Sequence, residues 1–400
     1  MTNYIDRLVA ELCPDGVEYR PLESLGKRNK GTAITASKMR SLEPGNKDLR
    51  IFAAGSTFVD TDSSNIPAKD ILHGPAIIVK SRGYIGFEYY EESFTHKNEM
   101  WSYTLDSKIV DQKFIYYYLL TQAYYLQELA RSKSVKLPQL AVKDTDSLEV
   151  PVPPLEIQEA IVEILDKFTN LEAELEAELE ARTLQYEYYR DSLFEALDCP
   201  RVPLGSFARL VRGSGMPKTD FSESGVGAIH YGQIYTKFGT ATAEVIAHVP
   251  EEKAKKLAVV NPGDVIVANT SENLEDVCKA VAWVGESDIV TGGHATVIKA
   301  PEQNAKFISY YMATGQFNKD KRRHAFGTKV IDVAPKNLAK IEFPLPPLEE
   351  QQRIVDILDR FDALTTSLSE GLPAELAARR SQYEYYRDQL LTFPRKGENQ

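Results

Sequence analysis

PVPPLEIQEAIVEILDKF, residues 151–168, and PLPPLEEQQRIVDILDRF, residues 344–361, are two copies of one sequence set 193 positions apart. The repeat extends upstream, where FIYYYLL at 114–120 matches FISYYMA at 307–313. Downstream the offset becomes 197, and QYEYYRD at 185–191 recurs unchanged at 382–388. A weaker echo links RPLESL (20–25) to VPLGSF (202–207). The chain therefore reads as two copies of one unit: a large variable block of about 110–140 residues, then a helical segment.

The helical segments can be read residue by residue. Pro154 and Pro347 suit a first helical turn, where the missing N–H costs nothing. Ile161, Ile164, Phe168, Leu171 and Leu175 follow three- and four-residue spacing, as do Ile354, Ile357, Phe361, Leu364 and Leu368, so each copy should bury one seam. From Leu155 to about Leu197 a helix would run roughly 60 Å. That length needs a partner, and the other copy is the economical one, giving an antiparallel or near-parallel two-helix coiled coil. We assign Leu155, Ile161, Leu165, Phe168, Leu171, Leu175 and Tyr189 of the first copy to this spacer and partner-binding surface. Leu348, Ile354, Leu358, Phe361 and Tyr386 are their counterparts in the second. The four-residue LEAE repeat at 171–178 reads locally as a solvated acidic helix face, able to gain or lose whole turns. The second copy has four more residues here, and Gly371 and Pro373 predict a kink or short loop at 370–374. The expected architecture is α+β, with globular blocks at 1–150 and 198–343, helices at 151–197 and 344–400, and pseudo-twofold internal symmetry.

Composition narrows the functional classes. A hydrophobic content of 43% and a charged content of 26% suit a folded globular protein. No run of about 18 apolar residues exists to span a membrane, and the N-terminus, with Asp6 and no apolar core, does not read as a signal peptide. Cys13, Cys199 and Cys278 are too few and too scattered for a disulfide framework, which suits a reducing cytoplasm. The six histidines form no H-x₃₋₅-H pair, so no metal site is expected. The net charge of −11 partitions as 0 over residues 1–147, −10 over 148–197, +3 over 198–340 and −4 over 341–400. Net negative charge is thus confined to the helical segments, and the large blocks are neutral or mildly basic, which permits nucleic-acid binding.

Catalytic signatures are weak. Asp106-Ser107-Lys108 and Glu251-Glu252-Lys253 match a loose nuclease tripeptide that recurs by chance. Asn261-Pro262-Gly263-Asp264 lacks the Pro-Pro-aromatic continuation of an adenine methyltransferase, and no phosphate-binding glycine loop is present. A binding protein is the better reading, with a protein-only coiled-coil scaffold as the alternative.

The P-x-P-P-L-E-x-Q lead-ins at 151–158 and 344–351, the LEAE repeat, the paired QYEYYRD endings and LCPDGVEYRPL at 12–22 together resemble the specificity subunit of type I restriction–modification systems. The likeness is to the subgroup with TAEL-like linker repeats, although this linker reads LEAE. It covers the whole chain in the order recognition domain, helix, recognition domain, helix. The resemblance implies two target-recognition domains, each reading one half of a bipartite asymmetric site on double-stranded DNA. It further implies helices that set the spacing and dock two modification subunits, which methylate adenine with S-adenosylmethionine. Restriction subunits reached through them would add ATP- and Mg-dependent translocation and cleavage. No cofactor is expected in this chain, and the setting implied is the prokaryotic cytoplasm.

DNA-contacting residues are expected in three kinds of place. Basic clusters near the block ends, Arg131, Lys133 and Lys136 in the first and Lys319, Lys321, Arg322 and Arg323 in the second, would face phosphates, and Lys329 just beyond is a further DNA-binding candidate. Loops around Lys27, Arg28 and Lys30, and around Arg209, Arg212 and Lys218, would do the same, with glycines permitting close approach. Base edges would be read from loops that follow apolar strands: Lys80, Arg82 and Tyr84, then Asn269, Thr270 and Asn273, and the Gly-Gly-His loop ending at His294.

Overall fold

The computed structural model describes residues 2–42, 47–134, 136–365 and 371–397. These form two compact units, one of residues 1–174 with 377–400 and the other of residues 175–376. The division falls inside the long helix rather than at its ends, so each unit holds one variable block plus parts of both helical segments.

In the first unit the core sheet is antiparallel in the order Gly26–Lys30, Trp101–Leu105, Ala76–Lys80, Gly86–Tyr90. Ile77 and Val79 point to the helix Gln112–Ser132 and share one core with its Phe114, Ile115 and Leu119. Asp111 caps that helix by accepting from the amides of Lys113 and Phe114. A second four-stranded sheet contains Phe58–Thr61, Leu49–Phe52, Ser93–His96 and Leu72–His73.

The second unit repeats this plan. Its core sheet runs Arg209–Arg212, Ala295–Lys299, Val265–Ala268, Ala280–Trp283, with the short Ala241–Thr242 added at one edge. Helices Ala305–Met312 and Gly315–Arg322 take the place of the single helix. Ala247–Val249, Val226–Ile229, Ile289–Thr291 and Ala258–Val260 build the second sheet. Two blocks with little sequence in common thus share a scaffold, because alternation and burial, not residue identity, specify a strand.

The lead-in glutamine explains why that motif recurs. Gln158 is fully buried: its Oε1 accepts from the Asp111 amide at 2.7 Å, and its Nε2 donates to the carbonyls of Pro153 at 2.7 Å and Ile109 at 3.3 Å. Gln351 does the same in the second unit, accepting from the Asn304 amide and donating to the Pro346 carbonyl. An aspartate two turns on adds a second tie. Asp166 accepts from Tyr117 and Lys113, and Asp359 accepts from Tyr310 and Lys306. These side chains fasten the start of each conserved helix to its own block.

The first conserved helix spans Leu155–Glu195, 41 residues. Pro154 and Pro347 stand immediately before their helices, one place earlier than the first-turn position expected. In the first unit its opening turns pack antiparallel against the end of the helix Gly371–Leu390: Phe168 stacks on Tyr386 at 5.7 Å and Glu172 pairs with Arg380 at 2.6 Å. In the second unit Tyr189 stacks on Phe361 at 5.6 Å. The two stacks are the same contact by the repeat offsets, and in the first unit the stack and the ion pair together set the pairing as antiparallel.

Some spacer assignments need correction. Ile161, Leu165, Ile354 and Leu358 are buried in the cores of their own units and offer nothing to a partner. Leu171, expected in the seam, is 36% exposed. Gly371 opens a helix at φ +77° with Pro373 in its first turn, and Leu348–Thr365 ends before it. The expected break at 370–374 is therefore met at Gly371, and 366–370 lie outside the described residues.

Candidate nucleic-acid interface

Hydrogen-bond register brings about half of the candidate residues to one end of each core sheet, whereas Lys27, facing Thr104, and Arg209, facing Lys299, lie toward the other end. In the first unit Lys30 faces Trp101, and Trp101 faces Val79. The end of the first strand, the loop after the third and the start of Trp101–Leu105 therefore lie side by side. A returning segment closes this end: the Leu140 amide donates to the Ser81 carbonyl, the Gly83 amide to the Pro138 carbonyl, and Arg82 pairs with Gln139. Gln127 buttresses the loop, accepting from the Ile85 amide and donating to the Gly83 carbonyl. Gly83 sits at φ +76°, which a side chain would strain. Tyr84 is held 75% exposed, and Lys136 and Leu137 on the returning segment are exposed as well. The helical lead-in is fastened at the opposite end of the sheet, where Gln158 meets Asp111.

The second unit has the same end. Arg212 faces Thr296, and Thr296 faces Val267. Thr270 pairs with Asp332, and the Val333 amide donates to the Asn269 carbonyl. His294, at φ +67°, is exposed; its Nδ1 lies 3.1 Å from the Thr270 hydroxyl and its ring 5.0 Å from that of Tyr231. Tyr231 in turn contacts buried His230. His230 accepts from the Gly232 amide through Nδ1, and burial holds its pKa below the ordinary value, with Lys218 and His294 adding to the effect. His230 was not singled out from sequence; its only local signal is a cap position ahead of a short helix.

Several candidates are corrected. Lys27, Arg28 and Lys30 lie on an edge strand, not a loop, as do Arg209 and Arg212. Arg28 pairs with Asp146 at 3.2 Å, and Lys80 with Glu88 at 2.6 Å. Asn269 is fully buried; its amide bridges the Thr296 hydroxyl and the Val333 carbonyl, so it holds the loop rather than reading a base. Thr270 is also buried. Lys321 is only 2% exposed, donates to the carbonyls of Glu275 and Val277, and has its pKa lowered by burial. It is a structural lysine and leaves the phosphate group.

The remaining cations vary in freedom. Arg131 pairs with Glu128 and Lys133 with Asp144. Arg322 and Arg323 are exposed, in loose pairs with Glu275 and Asp320 at 3.4 Å. Asn273 is exposed but spends its side chain capping a turn with Asp276. Lys218 and Lys329 are exposed. Among the described residues no group of three or more His, Cys, Asp or Glu could hold a metal, and no helix is long and apolar enough to cross a membrane.

The fold is of a definable class: a tandem α+β protein in which one scaffold occurs twice and presents different side chains at the same end. Residues 14–181 and 201–378 both match the type I restriction modification DNA specificity domain, and the chain belongs to that family. It is 36% identical over 254 residues to the Escherichia coli EcoR124I/EcoR124II specificity subunit, a match spanning 60% of this chain and 60% of that protein. A Haemophilus influenzae protein described as a type I restriction enzyme specificity subunit is 29% identical, over 71% of this chain and 73% of its own. Among solved structures, the type I restriction–modification S subunit from M. genitalium overlays with a TM-score of 0.55 at 16% identity, covering 94% of this chain and 96% of that one. A chain from a study of type I complex assembly gives 0.58 at 14% identity, covering 94% and 97%. At such identities these overlays support the fold alone.

Proposed function

We propose that this chain is the sequence-reading subunit of a type I restriction–modification complex, with each unit reading one half of a bipartite site on double-stranded DNA. The observation that carries this is the duplicated sheet end: one scaffold, twice, with side chains that differ between the units at several corresponding positions. Phosphate contacts fix register on a duplex and base-edge contacts specify; a repeated frame with variable tips suits that division of labour. The chain has no catalytic role of its own. S-adenosylmethionine, ATP and Mg belong to the modification and restriction subunits.

The helical segments supply spacing and docking. Tyr188 and Tyr385, each fourth in its QYEYYRD heptapeptide, are 69% and 59% exposed, whereas Tyr186 is buried and Tyr189 and Tyr386 are stacked. A surface offered twice by identical sequence suits two copies of one partner, the modification subunit.

The test is methylation sequencing of DNA from cells that express this chain with its modification subunit. A bipartite adenine-methylated motif with a fixed gap is the expected outcome. A stable complex that leaves no motif would favour the protein-only scaffold and overturn the proposal.

A further inference from the structure

The two units can be superposed by register instead of by sequence similarity. Lys30 opposite Trp101 and Arg212 opposite Thr296 occupy one position, since Trp101 and Thr296 face Val79 and Val267 in turn. Counting two residues on from those valines aligns Ser81 with Asn269, and both receive the returning segment, from Leu140 and Val333 respectively. Arg82 then matches Thr270, and their bridge partners Gln139 and Asp332 match each other. Three residues earlier on the returning segment stand Lys136 and Lys329. On the neighbouring strand, two residues before Trp101 and Thr296, stand Glu99 and His294. The Ser81 hydroxyl donates to the Glu99 carbonyl and the Asn269 main-chain N–H to the His294 carbonyl, so different donors join the same pair of positions in each unit.

Two kinds of position emerge. At two of them both units carry a cation, Lys30 with Arg212 and Lys136 with Lys329. All four are exposed. Lys30, Lys136 and Lys329 have no protein counter-charge among the described residues, and Arg212 has only a loose approach to Asp332 at 3.8 Å. At the other positions chemistry changes sign or type: Arg82 against Thr270, and Glu99 against His294. Two readers of different words still meet the same phosphate backbone. Contacts independent of sequence should therefore be retained between the units, and contacts that specify should diverge.

We propose that Lys30/Arg212 and Lys136/Lys329 are phosphate contacts common to both units, and that Arg82 and His294 are the specificity-determining positions between them. A cationic clamp on the edge strand and another on the returning segment would flank the loop that meets the bases. Arg82, exposed beside a loop locked by Gln127, suits the two acceptors of guanine, and His294 can serve one acceptor or donor. This rests on the DNA-reading function proposed above.

The experiment uses the full-length chain and a random-sequence duplex, with affinity measured across potassium chloride concentrations. K136Q/K329Q should lower the slope of log affinity against log salt by about 1.8, since each lost phosphate contact removes about 0.9. K136R/K329R should restore it. Co-expressed with the modification subunit, K136Q/K329Q should leave the methylated word unchanged, whereas R82Q and His294→Gln should each alter one half-word. An unchanged salt slope in K136Q/K329Q, or an intact word in both R82Q and His294→Gln, overturns this division of roles. A wild-type chain without salt-dependent duplex binding overturns instead the DNA-reading function beneath it.

Discussion

Replacing Gln158 with alanine should destabilise the first unit more than its position on a helix face suggests. The side chain satisfies three backbone groups: the Asp111 amide and the carbonyls of Pro153 and Ile109. Each loses its protein partner in the variant. A buried polar group left unsatisfied costs roughly 1–3 kcal/mol. Water entering the vacated space offsets part of that, so the total should lie near the low end, about 3 kcal/mol. For a unit of this size that corresponds to a fall of about 6–12 °C in its melting temperature. Because the Asp111 amide precedes the helix Gln112–Ser132, the loss should also loosen that helix's cap. Thermal unfolding gives the magnitude, and hydrogen exchange gives the place: protection should drop at Asp111 and the turn after it. Gln351→Ala should act alike in the second unit, at Asn304. A melting shift below about 2 °C with the Asp111 amide still protected would refute the latch.

Stability of the first unit should also depend on mild acid. His96 is buried, with Nδ1 near the Lys97 carbonyl and Nε2 near the Ser102 hydroxyl, and burial depresses its pKa to about 4. The unfolded chain takes up this proton near 6.5, so stability is full above that value and falls as pH drops from about 6.5 to about 4. The loss is on the order of 3 kcal/mol. Denaturant unfolding of wild type and His96→Gln across that range checks it; an equally steep dependence in the variant would assign the effect elsewhere. Asn269→Ala should lower the melting temperature of the second unit, because two internal hydrogen bonds are lost; a fully stable variant with an altered methylated word would restore Asn269 as a reader. Deleting Leu175–Glu178 removes about 6 Å of helix and should shorten the gap in the methylated motif while leaving both words unchanged; an altered word would sink the spacer function. Arg322→Ala with Arg323→Ala should weaken binding to all duplexes and flatten its salt dependence, and an unchanged slope would remove both from the phosphate contacts.

The sequence by itself determined the duplication, the helical nature of the repeated segments and the α+β class. Those follow from local or periodic signals: apolar spacing along one helix, turn residues at its ends, and a heptapeptide repeated without change. It also located the sheet end broadly, because loops after apolar strands such as 76–79 and 265–267 are where exposed polar residues collect. Only the tertiary structure decided which of those residues face solvent. Asn269 and Arg82 look alike in sequence, as polar residues following an apolar run. Yet the returning segment buries the first against Val333 and leaves the second exposed beside Gln139. Lys321 and Arg322 are neighbours in one basic run, but a helix turns them to different sides, one into backbone carbonyls and one into water. The seam residues divide for the same reason: Ile161 and Phe168 share a periodic face, but Ile161 is buried in the core of its own unit and Phe168 stacks on the other helix. Which partner covers a side chain is set by strands and helices distant in the chain, and no local pattern encodes that meeting.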